Sequence, residues 1–398
     1  MAISLDDLSR KLPIGVQSFT DLRKTGCLYV DKTDYVYYLA HSGTKSYFLA
    51  RPRRFGKSLF ANTLKAYFLG RKECFEGLKI YNYEKEWIKY PMAYFDFVDG
   101  DYSDPNVISK SIMDVLIKFE IANGIENDEK VLSTRFLLDL AAVHKKTGLS
   151  TVIIVDNYDQ PLVNCNDNEA VGQIYGGFFS VLKSADKYIR FSFITGETKI
   201  GLNSFFYRVN CLCDVSYSDE FSSICGITSE ELVECFSTEL KRLAEIKGLT
   251  FNECLERLSN WCGGYKFSKN ADSVFSTESV LNVFDHLDFQ LDGSFSIPES
   301  IVSRIMKSNC ETSVLKDGFG YPIDFLHRAF VDVSSADIAV LLYYTGYLTI
   351  KKYDARLRRY TLGFPNNEIE LSFLKLFKVG VNFSSKEKNI TEWKVAEK

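Results

Sequence analysis

No stretch of this 398-residue chain approaches the run of about 18 apolar residues that a membrane-crossing helix needs. The opening Met1-Ala2-Ile3-Ser4-Leu5-Asp6-Asp7 lacks a basic stretch followed by an apolar core, so it does not read as a secretory leader, and a cytoplasmic chain is expected. An excess of basic residues is missing too. The formal net charge is -4, which excludes a general attraction to nucleic acid or acidic membranes and leaves only a local basic patch. Metal-ligand spacing is absent among the 10 Cys: Cys211 and Cys213 form a C-x-C, but no second pair or clustered His completes a site. Small hydrophobes in a reducing compartment are the better reading. Repeats and low-complexity tracts are missing as well. What the chain does have is 31 Phe and 23 Tyr, with hydrophobic residues at 46 % and charged residues at 25 %, the balance of an ordinary globular protein. Its length suffices for two or three domains.

The order of elements indicates an α/β fold. Tyr29-Val30-Asp31-Lys32-Thr33 reads as a short strand-like piece before a helix over 34–40. Ser46-Tyr47-Phe48-Leu49-Ala50 reads as a strand, and it runs into Arg51-Pro52-Arg53-Arg54-Phe55-Gly56-Lys57-Ser58. Leu59, Leu64, Tyr67, Phe68 and Leu69 then recur at helical spacing, and Gly70 is a stop. Further strands are expected over 92–97, 151–155 and 190–194, with helices over 107–123 and 170–184. The β-branched run Thr151-Val152-Ile153-Ile154-Val155 suits a strand buried on both faces of a parallel sheet. Beyond about Gly226, Thr228-x-x-Glu231 and Thr250-x-x-Glu253 read as capping boxes of a mostly helical stretch. A helix over 336–344, a strand over 346–350, a turn near Asp354-Ala355 and a strand over 358–363 suggest a winged-helix unit. The tail from Ser384 is charged and expected to fray. The expected division is therefore 1–225, 226–325 and 326–398.

Two segments point to phosphate chemistry. In the pattern G-x-x-x-x-G-K-[ST], loop amides cradle phosphates, the Lys reaches the β and γ phosphates, and the hydroxyl holds Mg²⁺. Gly56-Lys57-Ser58 keeps the last three positions, while Arg51 stands at the first. Such a triplet arises by chance in about one chain in five of this length, so the strand before it and the helix after it carry the argument. Arg51, Arg53 and Arg54 add positive charge where a triphosphate would sit. The second segment is Thr151–Val155 ending in Asp156, the form of a strand that presents a magnesium-holding carboxylate. The next residue, Asn157, cannot accept a proton. Asp159 is the nearest other carboxylate in sequence, and its competing reading is a turn or cap residue. Thr195, at the end of the following strand, is a candidate sensor of the γ phosphate.

Taken together the chain resembles the bacterial AAA-ATPase-like family, whose members often carry a C-terminal PD-(D/E)XK nuclease domain. The resemblance rests on Leu12-Pro13-Ile14-Gly15-Val16-Gln17-Ser18-Phe19, Tyr29-Val30-Asp31-Lys32-Thr33 and Arg51-Pro52-Arg53-Arg54-Phe55-Gly56-Lys57-Ser58-Leu59. It continues in Asp156-Asn157-Tyr158-Asp159-Gln160-Pro161-Leu162, Thr195-Gly196-Glu197-Thr198-Lys199, Cys225-Gly226-Ile227-Thr228, Gly346-Tyr347-Leu348-Thr349-Ile350 and Pro365-Asn366-Asn367-Glu368. It implies a P-loop ATPase domain, a helical lid and a winged-helix segment, with ATP and Mg²⁺ as ligands. By position, Gly56, Lys57 and Ser58 would bind phosphate and Mg²⁺, flanked by Arg53, Arg54, Phe55 and Leu59. Asp156 would support Mg²⁺, Thr195 would be the sensor, and Asp31, Lys32 and Thr33 would lie near the nucleotide. An Arg at position 51 is usual in the family. A Glu is usual where Asn157 stands, and a Lys where Gln160 stands. The chain stops at Lys398, about where a nuclease domain would begin.

Three functions compete. The first is an ATP-dependent switch with weak hydrolysis, nucleotide bridging the P-loop domain and the lid. The second is an active ATPase whose base is displaced to Asp159 or supplied by a partner subunit in an oligomer. The third is a nucleic-acid-binding module using Lys351, Lys352, Arg356, Arg358 and Arg359, against a solvated hairpin face.

Overall fold

Among the described residues the chain forms eight strands, most of them rich in β-branched and aromatic residues: β1 (Ser46–Ala50), β2 (Met92–Asp96), β3 (Thr151–Asp156), β4 (Ile189–Gly196), β5 (Leu212–Asp214), β6 (Phe319–Pro322), β7 (Thr349–Asp354) and β8 (Arg359–Gly363). The computed structural model describes residues 11–98, 100–165, 167–202, 212–291, 312–330, 333 and 335–384. The expected tail beyond Ser384 lies outside the described residues. The chain divides into two units: Met1–Arg51 with Gly56–Ser216 and Ala329–Ser335, and Pro52–Phe55 with Tyr217–Arg328 and Ala336–Lys398.

The first unit is built on a five-stranded sheet of order β2-β3-β4-β1-β5. All its pairings are parallel, so every carboxyl end lies along one edge. β1 and β3 are buried at every position, the pattern of strands covered by helices on both faces. Those helices include Lys57–Phe68, Pro105–Asn123, Leu132–Thr147 and Asn168–Ser184. Pro105–Asn123 starts two residues earlier than the periodicity suggests, because the Asp104 carboxylate accepts from the Asn106 amide and Pro105 occupies the first turn. The strand-like reading of residues 29–33 is overturned. Asp31 accepts from both the amide and the hydroxyl of Thr33, and this turn opens the helix Thr33–His41.

Two helices of this unit share a buried ion pair. Arg135 grips Glu120 through Nε and Nη2 at 2.7 and 2.8 Å. Asp139 lies beside the pair, fully buried, and accepts from Asn127 at 2.7 Å. Burial, with the Glu120 charge adding to it, pushes the Asp139 carboxyl up to about 7. The folded state then holds a proton that the unfolded chain releases near an ordinary aspartate value. The stability from this group is complete below about pH 4 and falls as pH rises toward about 7. Asp139→Asn should flatten the dependence across that window, read by urea unfolding at several pH values. An unchanged slope would remove Asp139 as its source.

In the second unit, Ser229–Lys247 and Phe251–Cys262 each begin with the expected capping box. Its sheet is antiparallel, with order β6-β8-β7. The expected two-stranded ribbon therefore gains a third strand, and the helix Ile338–Tyr344 lies between β6 and β7 in sequence. Asp354 turns the hairpin by accepting from the amides of Arg356 and Leu357. Asn367–Ser384 is a helix that the reading of strands and caps did not anticipate. Asn366 caps it by accepting from the Ile369 amide. No described helix is long and apolar enough to cross a membrane.

Candidate functional site

The site begins where β1 ends. Gly56 has φ 86, a left-handed conformation that costs glycine little, and Lys57 opens the helix Lys57–Phe68 directly after it. Lys57 is buried, and Ser58 is half-buried. At the end of β3 the fully buried Asp156 carboxylate accepts a hydrogen bond from the Ser58 hydroxyl and feels the Lys57 charge. Burial first, then the charge of Asp96, pushes the Asp156 carboxyl up to about 6, against the lowering pull of Ser58, Lys57 and the Asn157 amide. Tyr94 of β2 also reaches Asp156, donating to Oδ2 at 3.4 Å. Burial and the charges of Asp156 and Asp96 hold that phenol well above its ordinary pKa, so it remains a donor.

Asp96 was not among the residues singled out from the sequence. It ends β2, and it is the register partner of Asp156 in the parallel pair β2–β3. Asn157 has φ 55, a left-handed value that Asn tolerates better than most residues. Its side chain donates to Asp96 Oδ1 at 3.0 Å, and its amide donates to Asp156 Oδ1 at 3.0 Å. The sequence showed one strand over 92–97 that contains Asp96 and another that runs into Asp156. Nothing local showed that they lie side by side.

Thr195 is the penultimate residue of β4, the strand between β1 and β3. Its hydroxyl donates to the Leu49 carbonyl of β1 at 2.9 Å. Asp159 is fully buried and turned toward the segment after β4. It accepts from the Glu197 amide at 3.0 Å, and from the Thr198 amide and hydroxyl at 2.7 and 2.8 Å. Gly196 is required there, since a Cβ would stand 2.5 Å from Asp159 Oδ1. Burial and the Glu197 charge raise the Asp159 carboxyl to about 6. Gln160, where the resemblance leads one to expect Lys, reaches Glu197 at 3.4 Å. Arg51, expected to face a triphosphate, is instead buried, and its Nη1 donates to the carbonyls of Ala50 and Ser216 at 2.9 and 2.6 Å. A guanidinium donates only, and these carbonyls need donors.

A family model described as "Predicted AAA-ATPase" matches residues 13–206. A relative, the uncharacterized protein in the vnfD 5' region of Azotobacter chroococcum mcd 1, is 30% identical over 372 residues, which is 91% of this chain and 69% of that protein. The chain belongs to the AAA-ATPase-like family.

The other residues singled out in this AAA-ATPase-like chain are placed as follows. Asp31 Oδ2 accepts from the Lys79 amide, and the Thr33 hydroxyl accepts from the Ile80 amide. Asp31 and Thr33 thereby hold the turn at Lys79–Ile80, and the intervening Lys32 is buried. Leu59 is half-buried, and its carbonyl accepts from Thr63. Arg53 is exposed. Arg54 and Phe55 are engaged within the second unit. The Phe55 ring lies 4.7 Å from Tyr265 and 5.2 Å from Phe267, and Arg54 Nε lies 3.9 Å from Glu278. On the β7–β8 hairpin, Lys352, Arg356 and Arg359 are exposed. Arg358 pairs with Asp324 at 3.1 Å, and Lys351 donates to the Pro365 carbonyl at 3.3 Å.

Proposed function

We propose that this chain binds ATP, acts as a nucleotide-dependent switch, and turns ATP over slowly. One observation carries the reading: Lys57 and Ser58, at the first turn after β1, face the buried Asp156 carboxylate at the end of β3. The amides of Lys57, Ser58 and Leu59 lie in the helix's first turn, where they have no intrahelical acceptor and the helix dipole favours phosphate. Lys57 adds a charge for the β and γ phosphates. A hydroxyl beside a carboxylate is a hard-oxygen donor pair that suits Mg²⁺, an ion that takes one or two carboxylates and fills its shell with phosphate and water. Among the described residues no group of three or more His, Cys, Asp or Glu could hold a metal unaided, which agrees with that mode. Ser58 and Asp156 would hold the ion, which neutralises charge on the phosphates when bound. Thr195 is assigned the sensor role. Residues 226–325 would form the lid, and 326–398 a winged-helix segment that passes the nucleotide state to a partner.

Slow turnover follows from Asn157, which has no basic oxygen to take a proton from water. Calorimetry should detect Mg²⁺-ATP binding in the wild type and in Asn157→Glu, with phosphate release at least about tenfold faster in the variant. Equal rates would defeat the assignment of position 157 as the missing base. A second reading, nucleic-acid binding through the exposed Lys352, Arg356 and Arg359, is weakened by the pairing of Arg358 with Asp324.

A further inference from the structure

We propose that Asp96 is the carboxylate that activates the attacking water in this protein, with Asn157 as its positioning residue; the inference rests on the nucleotide-binding reading above. A triphosphate held at Lys57 and Ser58 must meet its water at the carboxyl edge of the parallel sheet, where ligands of such sheets bind. Several carboxylates lie near that edge. Glu197 is buried and reached by Gln160, and Asp214 pairs with Lys199. Asp156 is engaged by Ser58 and Tyr94. Asp159 is wholly buried, and its oxygens are taken by the Glu197 amide and by the amide and hydroxyl of Thr198. Asp96 differs from Asp156 and Asp159 in being exposed to solvent.

Its position is built rather than incidental. Asp96 and Asp156 are register partners on neighbouring parallel strands, so their side chains leave the sheet on the same side, about 5 Å apart at the backbone. Two donors fix the carboxylate, the Asn157 side chain and the Val98 amide, each at 3.0 Å and both on Oδ1. Among the described residues none donates to Oδ2, which leaves that oxygen to accept from water. Asn157 thus has a use that the Glu usual in the family would not serve. A carboxamide can donate to Asp96, whereas a Glu would add a third negative charge beside Asp96 and Asp156. Lys65, whose ammonium sits 4.5 Å over the Tyr94 ring, adds a cation that the Asp96 charge attracts.

In the step itself, a lone pair on the water oxygen forms a bond to the γ phosphorus. The bond from that phosphorus to the β–γ bridging oxygen breaks, and its electron pair leaves on the nucleoside diphosphate. The water proton passes to Asp96 Oδ2 and then to solvent. An aspartate reaching in from the next strand is a shorter arm than a Glu at position 157, which accords with slow turnover.

The test compares full-length wild type, Asp96→Asn, Asp96→Glu and Asn157→Ala. Three quantities are read: Mg²⁺-ATP affinity by calorimetry, single-turnover phosphate release, and the affinity for ADP with aluminium fluoride relative to ADP alone. Asp96→Asn should keep ATP affinity within about twofold, lose phosphate release by about 100-fold or more, and lose the preference for the aluminium fluoride complex. Asp96→Glu should recover part of both losses, and Asn157→Ala should slow release by about tenfold. Wild-type release in Asp96→Asn would overturn the inference, as would a shift in the Mg²⁺ concentration required, which would make Asp96 a metal-binding group. Wild-type protein that binds ATP but never releases phosphate would remove the inference and leave the switch standing. Wild-type protein that fails to bind ATP would remove both.

Discussion

Asp159→Ala should cost the first unit about 4 kcal/mol of folding stability, an effect expected whether or not the protein ever meets a nucleotide. The carboxylate is fully buried and takes the Glu197 amide, the Thr198 amide and the Thr198 hydroxyl. Truncation leaves those three donors in a dry site, and each such orphan costs about 1–3 kcal/mol. Little can relax to rescue them. Tyr158 donates to the carbonyls of Thr198 and Ile200, and Tyr175 donates to the Tyr158 carbonyl, so the segment after β4 is held from both sides. Urea unfolding followed by a probe in the first unit is the measurement, because a chain of two units need not unfold in one step. A loss under about 1 kcal/mol would mean that the segment re-forms its hydrogen bonds without Asp159.

Lys57→Ala should weaken Mg²⁺-ATP binding by about 100-fold or more, roughly 2.7 kcal/mol, since charge-assisted contacts to phosphate are among the strongest a site can make. Lys57 is the first residue of its helix, and Ala is the best helix former, so the fold should survive. The loss should appear twice: directly by calorimetry, and as the disappearance of the rise in melting temperature that saturating ATP gives the wild type. Unchanged affinity in a folded Lys57→Ala would place any nucleotide elsewhere and withdraw the role given to Ser58 and Asp156.

The two variants separate what a carboxylate near a phosphate loop is for. In sequence, Asp156 and Asp159 stand three apart and either could face a phosphate. In the folded chain one meets Ser58 and the other is committed to the amides of Glu197 and Thr198 and the Thr198 hydroxyl. Arg51 makes the same point with the opposite charge. Its place in the loop motif suggests a phosphate contact, yet its guanidinium binds the Ala50 and Ser216 carbonyls.

The features legible from the residues alone are local. The strand into Gly56-Lys57-Ser58 and the helix after it follow from apolar spacing and from the freedom of glycine at positive φ. The buried strand ending in Asp156 follows from an unbroken β-branched run, and the two capping boxes from Thr and Glu three residues apart. Each signal lies within about a dozen residues and acts through neighbours in the chain. Long-range pairing fixed the rest. The partnership of Asp96 with Asp156 and Asn157 depends on β2 lying beside β3, the inward turn of Asp159 on the segment after β4, and the third strand β6 on pairing with β8. Parallel strands are joined by long crossovers, and their hydrogen bonds form between backbones far apart in sequence. Which strand lies beside which, and so which carboxylates share an edge, is settled only when the sheet assembles.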